Sequence, residues 1–481
     1  MKSIWNLTSS IKQREKLNKD LSCDILIVGA GLTGILTAYY LQKEGKNVVV
    51  VDRSRIGQGV TKNTTAKISV QHGYLYHNLI KKLGYDKSYL YAKANQEALN
   101  EYNRLVGDEK IDCDFEKSDS YLYTRNKPGK IEKEYKAITS LGLQASLTNK
   151  CNLPIDIELA LKMDNQAQFN PLKFISAISD KLTIYEQTKI ISVEQGVALT
   201  SNNFKINAKH IIIATHYPFI NFPGLYFLKM WQERSYLITL KNATPVKGMY
   251  LDENKQGHTF RDYQDKVIFG GKSHKSGEHK GNSNYQELIN ESKKLFPNSE
   301  VVSTFSAQDC FTLDSLPYIG RYSKRSDNLY VATGYKKWGM TLSMVAALLL
   351  KDLILGKKNE YESLFSPQRS NILASLPSFI YNAGSAFKGL IIKRLMLRRK
   401  DIRTLEEGQA LTLRYRGKNM GVYKKRGHLY FVNITCPHLK CILKWNKDEL
   451  SWDCPCHGSR FDYTGKQINT PAVSDATTNS F

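Results

Sequence analysis

The sequence predicts a chain in three parts: an α/β domain on a parallel sheet, an antiparallel β domain inserted into it, and a small all-β domain at the C-terminal end. Three observations carry this. Two four-residue apolar runs, Ile25 to Val28 and Val48 to Val51, flank a helical stretch, which is the pattern of buried parallel strands joined by a crossover helix. Similar strand signals return far along the chain, at residues 210–219 and 328–356, with alternating patterns such as "SYLITL" and "KVIFGG" between them. Beyond residue 400 come short alternating runs such as "GVYKKRGHLYFVNI", which fit strands of a small β domain.

These signals set the boundaries. Residues 1–84, 166–225 and 309–362 form the discontinuous α/β domain, and residues 85–165 and 226–308 form the inserted domain. Residues 363–400 read as a basic linker with an amphipathic helix at its end, and residues 401–481 as the terminal domain. A chain of 481 residues with 41% hydrophobic content is long enough for several cores.

The first residues lack the apolar run of a secretory signal. The longest apolar stretch, from Met340, is broken by Lys351 and Asp352 before it could span a hydrocarbon core of about 30 Å. A cytoplasmic location without a membrane span is expected. The net charge of +24 is uneven, with 13 Lys/Arg against 3 Asp/Glu in residues 388–426. Such a collar suits an acidic partner protein or peripheral contact with an anionic membrane, and it also fits a merely solvated basic surface. No nucleic-acid module is recognisable. Cys23, Cys113, Cys151 and Cys310 are scattered without metal or redox spacing.

Gly29, Gly31 and Gly34 form G-x-G-x-x-G between the first strand and its helix, and Asp52 ends the next strand. Glycine permits the tight turn and close approach to a pyrophosphate at the helix N-terminus, and the acid suits a ribose. The fingerprint alone leaves FAD and NAD open. "DSLPYIGRYSKRSDNLYVATGYKKWGMTLS" resembles the closing FAD motif of the FAD-dependent D-amino-acid oxidase (DAO) family. That resemblance implies FAD, with Asp314, Pro317, Gly320, Gly334 and Gly339 shaping the pocket near the flavin ring. "GVTKNTTAKISVQHG" resembles a flavin-side loop of family members with an iron-sulfur tail, which implies that Thr64, Thr65, Ala66 and Lys67 lie near the flavin. Where many relatives have a glycine-rich turn, this chain has Lys336, Lys337 and Trp338. Arg261, Tyr236, Arg234 and Trp338 are candidates to line a substrate pocket, and no catalytic base is identifiable. With no second G-x-G-x-x-G, no separate nicotinamide site is expected.

The terminal domain crowds four cysteines and two histidines into residues 436–461. Cys436-Pro-His438, then fifteen residues, then Cys454-Pro-Cys456-His457 has the spacing of a Rieske [2Fe-2S] site, two thiolates on one iron and two imidazoles on the other. A Cys₂His₂ zinc site is the alternative; "HGSRFD" after the second pair favours the cluster. Cys441 and Cys456 resemble the loop-bridging disulfide of respiratory-chain Rieske domains. Ser459 can donate toward a cluster sulfur, whereas Phe461 replaces a tyrosine hydroxyl of high-potential relatives, and Lys440 a common glycine. Fewer donors lower the potential.

Together these features resemble Rieske-tailed flavoproteins of the DAO family: an FAD-binding Rossmann-like domain, an inserted antiparallel β substrate domain and an all-β Rieske domain. The resemblance implies an FAD-dependent oxidoreductase acting on an amine or amino-acid type small molecule, with electrons passing from flavin to cluster and on to an external acceptor. The alternatives are a ferredoxin-fed flavin reductase with reversed flow and a non-catalytic iron-sulfur sensor.

Overall fold

The computed structural model describes residues 2–278, 283–371, 401–415 and 417–477, with residues 375, 376, 380 and 384 isolated between them. The expected helix of the basic linker lies outside the described residues.

The N-terminal apolar runs become neighbouring strands of an eight-stranded sheet. Tyr318–Arg321, Leu329–Thr333, Lys205–Ile213, Leu21–Val28, Val48–Val51 and Thr183–Tyr185 stand side by side in that order, and a hairpin, Ile190–Glu194 with Val197–Thr200, extends the Lys205–Ile213 edge. All pairings from Leu329–Thr333 to Thr183–Tyr185 are parallel. Their apolar continuity follows from burial on both faces: Ile25, Leu26, Ile27, Val50 and Val51 are fully enclosed. The helices Leu32–Lys43 and Gly339–Ile354 cover one face and share one hydrophobic core with it.

The second large sheet has nine strands, among them Lys67–Ile68, Leu159–Gln168 and Glu300–Thr312, which lie outside or across the bounds expected for the inserted domain. Its main path runs Glu300–Thr312, Met230–Lys241, Lys266–Lys275, Thr259–Tyr263, Met249–Asp252, Glu116–Thr124, Leu159–Gln168 and Lys67–Ile68, and Ser146–Thr148 pairs with Leu159–Gln168. Only Met249–Asp252 beside Glu116–Thr124 is parallel. Strand and helix do not respect a single cut in sequence. The helix Tyr85–Asp108 packs into the core of the α/β body, where the Tyr102 hydroxyl donates to the Met340 carbonyl at 2.9 Å.

The terminal domain has two small antiparallel sheets, one of Ala410–Tyr415, Lys418–Lys425 and His428–Asn433, the other of Lys444–Asn446, Ser451–Asp453, Arg460–Asp462 and Gln467–Asn469. Trp452, Phe461, Val432 and Ile434 form its core with the clustered cysteines.

Candidate functional site

The glycine fingerprint makes a cradle. Gly29 has φ +117, donates its N–H to the Val51 carbonyl at 2.8 Å, and leaves no room for a side chain, since a Cβ would lie 2.5 Å from the Ala214 oxygen. A Cβ on Gly34 would lie 1.9 Å from the Gly29 oxygen, so the helix can approach the turn only with glycine there. Gly31 caps the helix Leu32–Lys43. Asp52 accepts from the Ala30 N–H at 2.8 Å and the Ser54 N–H at 2.7 Å, and burial pushes its carboxyl above the ordinary value.

Gly29, Gly31 and Asp52 open onto a cavity of about 1570 Å³ that continues past Thr64, Thr65, Lys67, Trp338 and Gly339 to Trp231, Tyr236 and Asp309. The cavity thus joins the glycine turn to the inserted sheet, and its size and donor set fit an extended dinucleotide plus a small molecule.

Of the other expected residues, Lys67 and Asp314 line this cavity and Ala66 and Gly334 do not. Ala66, at φ +54, is fully buried and does not line the cavity. Lys67 directs Nζ to the Tyr250 carbonyl at 2.7 Å and to Thr259 Oγ1 at 2.5 Å. Gly334, at φ +83, stands behind the wall, where a Cβ would lie 2.4 Å from Thr312 Cγ2. Asp314 is held by Arg369 in a two-pronged pair of 2.7 and 2.8 Å, and this pairing holds its carboxyl below the usual value against burial, which would raise it.

Arg261 does not reach the cavity. Its guanidinium donates to the carbonyls of Thr65 at 2.7 Å and Ala66 at 3.0 Å and lies over the Trp5 ring, so it braces the loop instead of facing a substrate. Tyr236 and Trp338 do line the cavity. The Tyr236 hydroxyl lies 3.2 Å from His274 Nε2 and 3.3 Å from Asn446 Nδ2, and Trp338 stacks on His72 at 4.5 Å.

Sequence reasoning missed several wall residues. His216, at φ +68, is enclosed and held neutral, its pKa pushed down to about 4 by burial, and its Nε2 has no partner among the described residues. Burial pushes the Asp309 carboxyl up to about 6. Lys336 and Lys337, which the sequence shows in place of a glycine-rich turn, both occupy the left-handed region, at φ +49 and +74, and both line the cavity.

The four residues of the Cys/His pattern converge at the tip of the terminal domain. The Cys436 and Cys454 thiols are hydrogen-bonded to each other, and the His438 and His457 rings stand perpendicular, 5.0 Å apart. Among the described residues, the buried Nδ1 of each imidazole has no partner. Two thiols and two bare nitrogens facing inward fit the donor set of a Rieske cluster, whose iron would satisfy those orphaned nitrogens. Cys441 and Cys456 are joined as a disulfide, so the neighbouring Cys454 is the free sulfur of its loop. Lys440 has φ +62, the region a glycine occupies without strain, and its N–H donates to the Cys436 carbonyl at 2.9 Å.

This tip is seated on the flavin-side body. His438 Nε2 donates to Asn221 Oδ1 at 2.8 Å, and His457 donates to the backbone carbonyl of Phe227. Gln232 Nε2 donates to the His457 carbonyl at 2.6 Å, and Gln308 Nε2 to the Gly458 carbonyl at 2.7 Å. A Cβ on Gly277 would lie 2.6 Å from the Pro455 nitrogen, so that turn touches the second ligand loop directly. Beside it, Arg234 lies 3.6 Å from Glu449, which also meets Arg460 at 3.1 Å and the Tyr285 hydroxyl at 2.8 Å.

Comparison with known proteins agrees with both halves. The family model of FAD dependent oxidoreductases (DAO) matches residues 24–353, and that of the Rieske [2Fe-2S] domain matches residues 396–480. A Bacillus subtilis (strain 168) protein named as a Rieske 2Fe-2S iron-sulfur protein, YhfW, is 36% identical over 489 aligned residues, covering 98% of this chain and 96% of that one. The cytochrome b6-f complex iron-sulfur subunit of Synechococcus elongatus is 49% identical over 43 residues, 9% of this chain and 24% of that protein. Among solved structures, glycine oxidase from Geobacillus kaustophilus superposes with a TM-score of 0.62 at 18% identity, covering 73% of this chain and 99% of that one. An L-amino acid deaminase from Proteus vulgaris does so with a TM-score of 0.61 at 18% identity, covering 75% and 97%. At that identity the likeness concerns the fold. Among the described residues no helix is long and apolar enough to cross a membrane.

Proposed function

The chain belongs to the FAD dependent oxidoreductase (DAO) family and ends in a Rieske [2Fe-2S] domain, and from that premise we propose a dehydrogenase for a small amine or amino-acid type substrate that delivers electrons through its own cluster to an external acceptor. When bound, FAD supplies hydride acceptance and the two-iron cluster one-electron transfer.

The chain's own residues provide the setting. Gly29, Gly31 and Asp52 would hold the dinucleotide, and Thr64, Thr65, Trp338 and Gly339 the ring end; Cys436, His438, Cys454 and His457 would hold the cluster. Trp231, Tyr236 and Trp338 line the substrate end with aromatic surface. Hydride transfer from a carbon beside an amine nitrogen asks chiefly for orientation and a dry face.

The observation that carries this reading is Gln308. It stands in the cavity wall and at the same time donates to the carbonyl of Gly458 in the second ligand loop. Substrate cavity and cluster therefore share one strand, Glu300–Thr312, which favours electron passage within the chain. Glycine oxidase and L-amino acid deaminase, with the same fold, motivate the substrate class.

The test is anaerobic mixing of the purified holoprotein with amines and amino acids, following flavin absorbance and the cluster's electron paramagnetic resonance together. Flavin bleaching followed by a reduced Rieske signal is expected. If both centres stay oxidised with every substrate while dithionite reduces them, the dehydrogenase reading is wrong.

A further inference from the structure

The segment 219–229, a loop that ends in the short helix Tyr226–Lys229, reaches from the flavin-side body over the histidine edge of the ligand tip. Within it the Phe227 ring lies 6.1 Å from the His438 ring and 6.1 Å from the His457 ring. Phe222 stands 6.3 Å further out, edge-on to Phe227, and is 71% exposed; Leu228 beside it is 49% exposed. Single exposed apolar residues are ordinary. Here, though, Phe222, Pro223 and Leu228 are exposed together in one segment, and an aromatic file leads from them to both imidazoles. An apolar patch with a polar rim marks an interaction site.

The rim is basic. Lys440 is exposed on the first ligand loop. Lys324 and Arg325 are exposed on the turn anchored to this segment by the Tyr226 hydroxyl, which donates to the Tyr322 carbonyl at 3.0 Å. Arg414 and Lys418 are exposed on the hairpin whose Asn419 reaches Thr435 at 3.3 Å, next to Cys436. The exposed Asp327 is the acidic member of that turn and lies 3.9 Å from Arg321.

We propose that this segment is the docking site of a small acidic one-electron carrier protein, and that electrons cross between carrier and cluster by way of Phe227. The proposal rests on the reading above, in which electrons leave the chain for an external acceptor. The carrier takes up one electron per encounter, two encounters match the two electrons of each substrate oxidation, and no bond forms or breaks at the contact. Small interfaces of this kind suit transient redox encounters, and a basic rim steers an acidic partner while leaving its release fast. The sequence alone suggested the basic segment 388–426 for this role. Of that segment, residues 388–400 and 416 lie outside the described residues.

The experiment uses the full-length holoprotein and reduced plant-type [2Fe-2S] ferredoxin, an acidic carrier whose potential lies below that of Rieske centres. Stopped-flow mixing measures the second-order rate of cluster reduction in the wild type, Phe222→Ser and Phe222→Trp. A rate roughly tenfold or more lower in Phe222→Ser, restored in Phe222→Trp and falling with salt, with an unchanged cluster spectrum and potential, is the expected result. Equal rates in all three proteins, or no exchange with ferredoxin at any salt, would overturn it. So would a wild-type dimer in analytical ultracentrifugation that Phe222→Ser dissolves, because the occupant would then be a second copy. Substrate reduction of the cluster, measured in the same variants, separates the two readings. If it proceeds while ferredoxin exchange ignores Phe222, docking alone fails; if it never occurs while exchange depends on Phe222, the dehydrogenase reading alone fails.

Discussion

Asn221 accepts the Nε2 proton of His438 across 2.8 Å, although 217 residues separate them in sequence. A metal-bound imidazole that donates its other N–H to an amide oxygen is a more basic ligand, and it favours the oxidised metal. Asn221→Leu removes the acceptor. The expected outcome is a rise in the cluster potential of about 40 mV, the equivalent of one ordinary hydrogen bond of about 1 kcal/mol in a one-electron couple. Redox titration by electron paramagnetic resonance checks it, and a potential that falls or stays put would show that Asn221 does not act on the ligand.

Ser459 works in the opposite direction. It is fully buried, its hydroxyl donates to the Cys436 sulfur, and the same oxygen accepts from the Ala472 N–H at 3.0 Å. A donor to a cluster sulfur stabilises the extra electron. Ser459→Ala is therefore expected to lower the potential by a similar amount, about 40 mV, with Phe461 offering no hydroxyl to compensate. The two variants together test whether hydrogen bonds at the sulfur and at the imidazole act with opposite sign.

Arg234 is 1% exposed between the inserted sheet and the terminal domain, where it serves Ser306, Gln308 and Glu449. Arg234→Met leaves Glu449 with Arg460 as its remaining cation. Losing the charge-assisted hydrogen bonds to Ser306 and Gln308 is expected to cost about 2 kcal/mol. Chemical unfolding followed by the cluster's visible circular dichroism is expected to shift to lower denaturant, and the double variant with Glu449→Gln is expected to lose less than the sum of the singles. Strict additivity would mean that the pair does not couple the two bodies.

The parts of this site that the sequence makes legible are those whose chemistry is local. Gly29, Gly31 and Asp52 stand within one βαβ unit, and each ligand loop carries its own Cys and His, so spacing alone announces them. The seating of one domain on the other is a different matter. Asn221, Phe227, Gln232 and Gln308 are ordinary loop, helix or strand residues, and their partners lie 150 or more residues away. Arg261 shows the limit most clearly. Alternation places it on a strand, but it cannot tell whether that face meets the cavity or the back of the flavin-side loop, and the guanidinium went to the Thr65 and Ala66 carbonyls. The departure at Lys336 and Lys337 was visible as a missing glycine turn, whereas the shape that replaced it was not.

That shape leads to the last expected outcome. Left-handed backbone costs a residue with a side chain roughly 1–2 kcal/mol, and two consecutive lysines carry it here, at φ +49 and +74. Strain of this kind persists where the surrounding structure holds it and often marks a functional position. Lys336 faces the cavity, with Nζ 3.1 Å from Ser315 Oγ, and its pKa is pushed down to about 8 by burial first and by Lys255 and Lys82 second. It is thus mostly cationic at pH 7 and mostly neutral at pH 9. An anion that needs this charge should bind about tenfold more weakly at pH 9 than at pH 7, following the protonated fraction. Benzoate stays charged throughout that window, and isothermal titration calorimetry of the holoprotein measures its binding. Lys336→Met should bind benzoate weakly and without pH dependence, and Lys336→Arg should bind it well at both values, because guanidinium does not titrate there. A wild-type affinity that is flat between pH 7 and pH 9 would remove Lys336 from contact with the ligand and leave its backbone strain without a function.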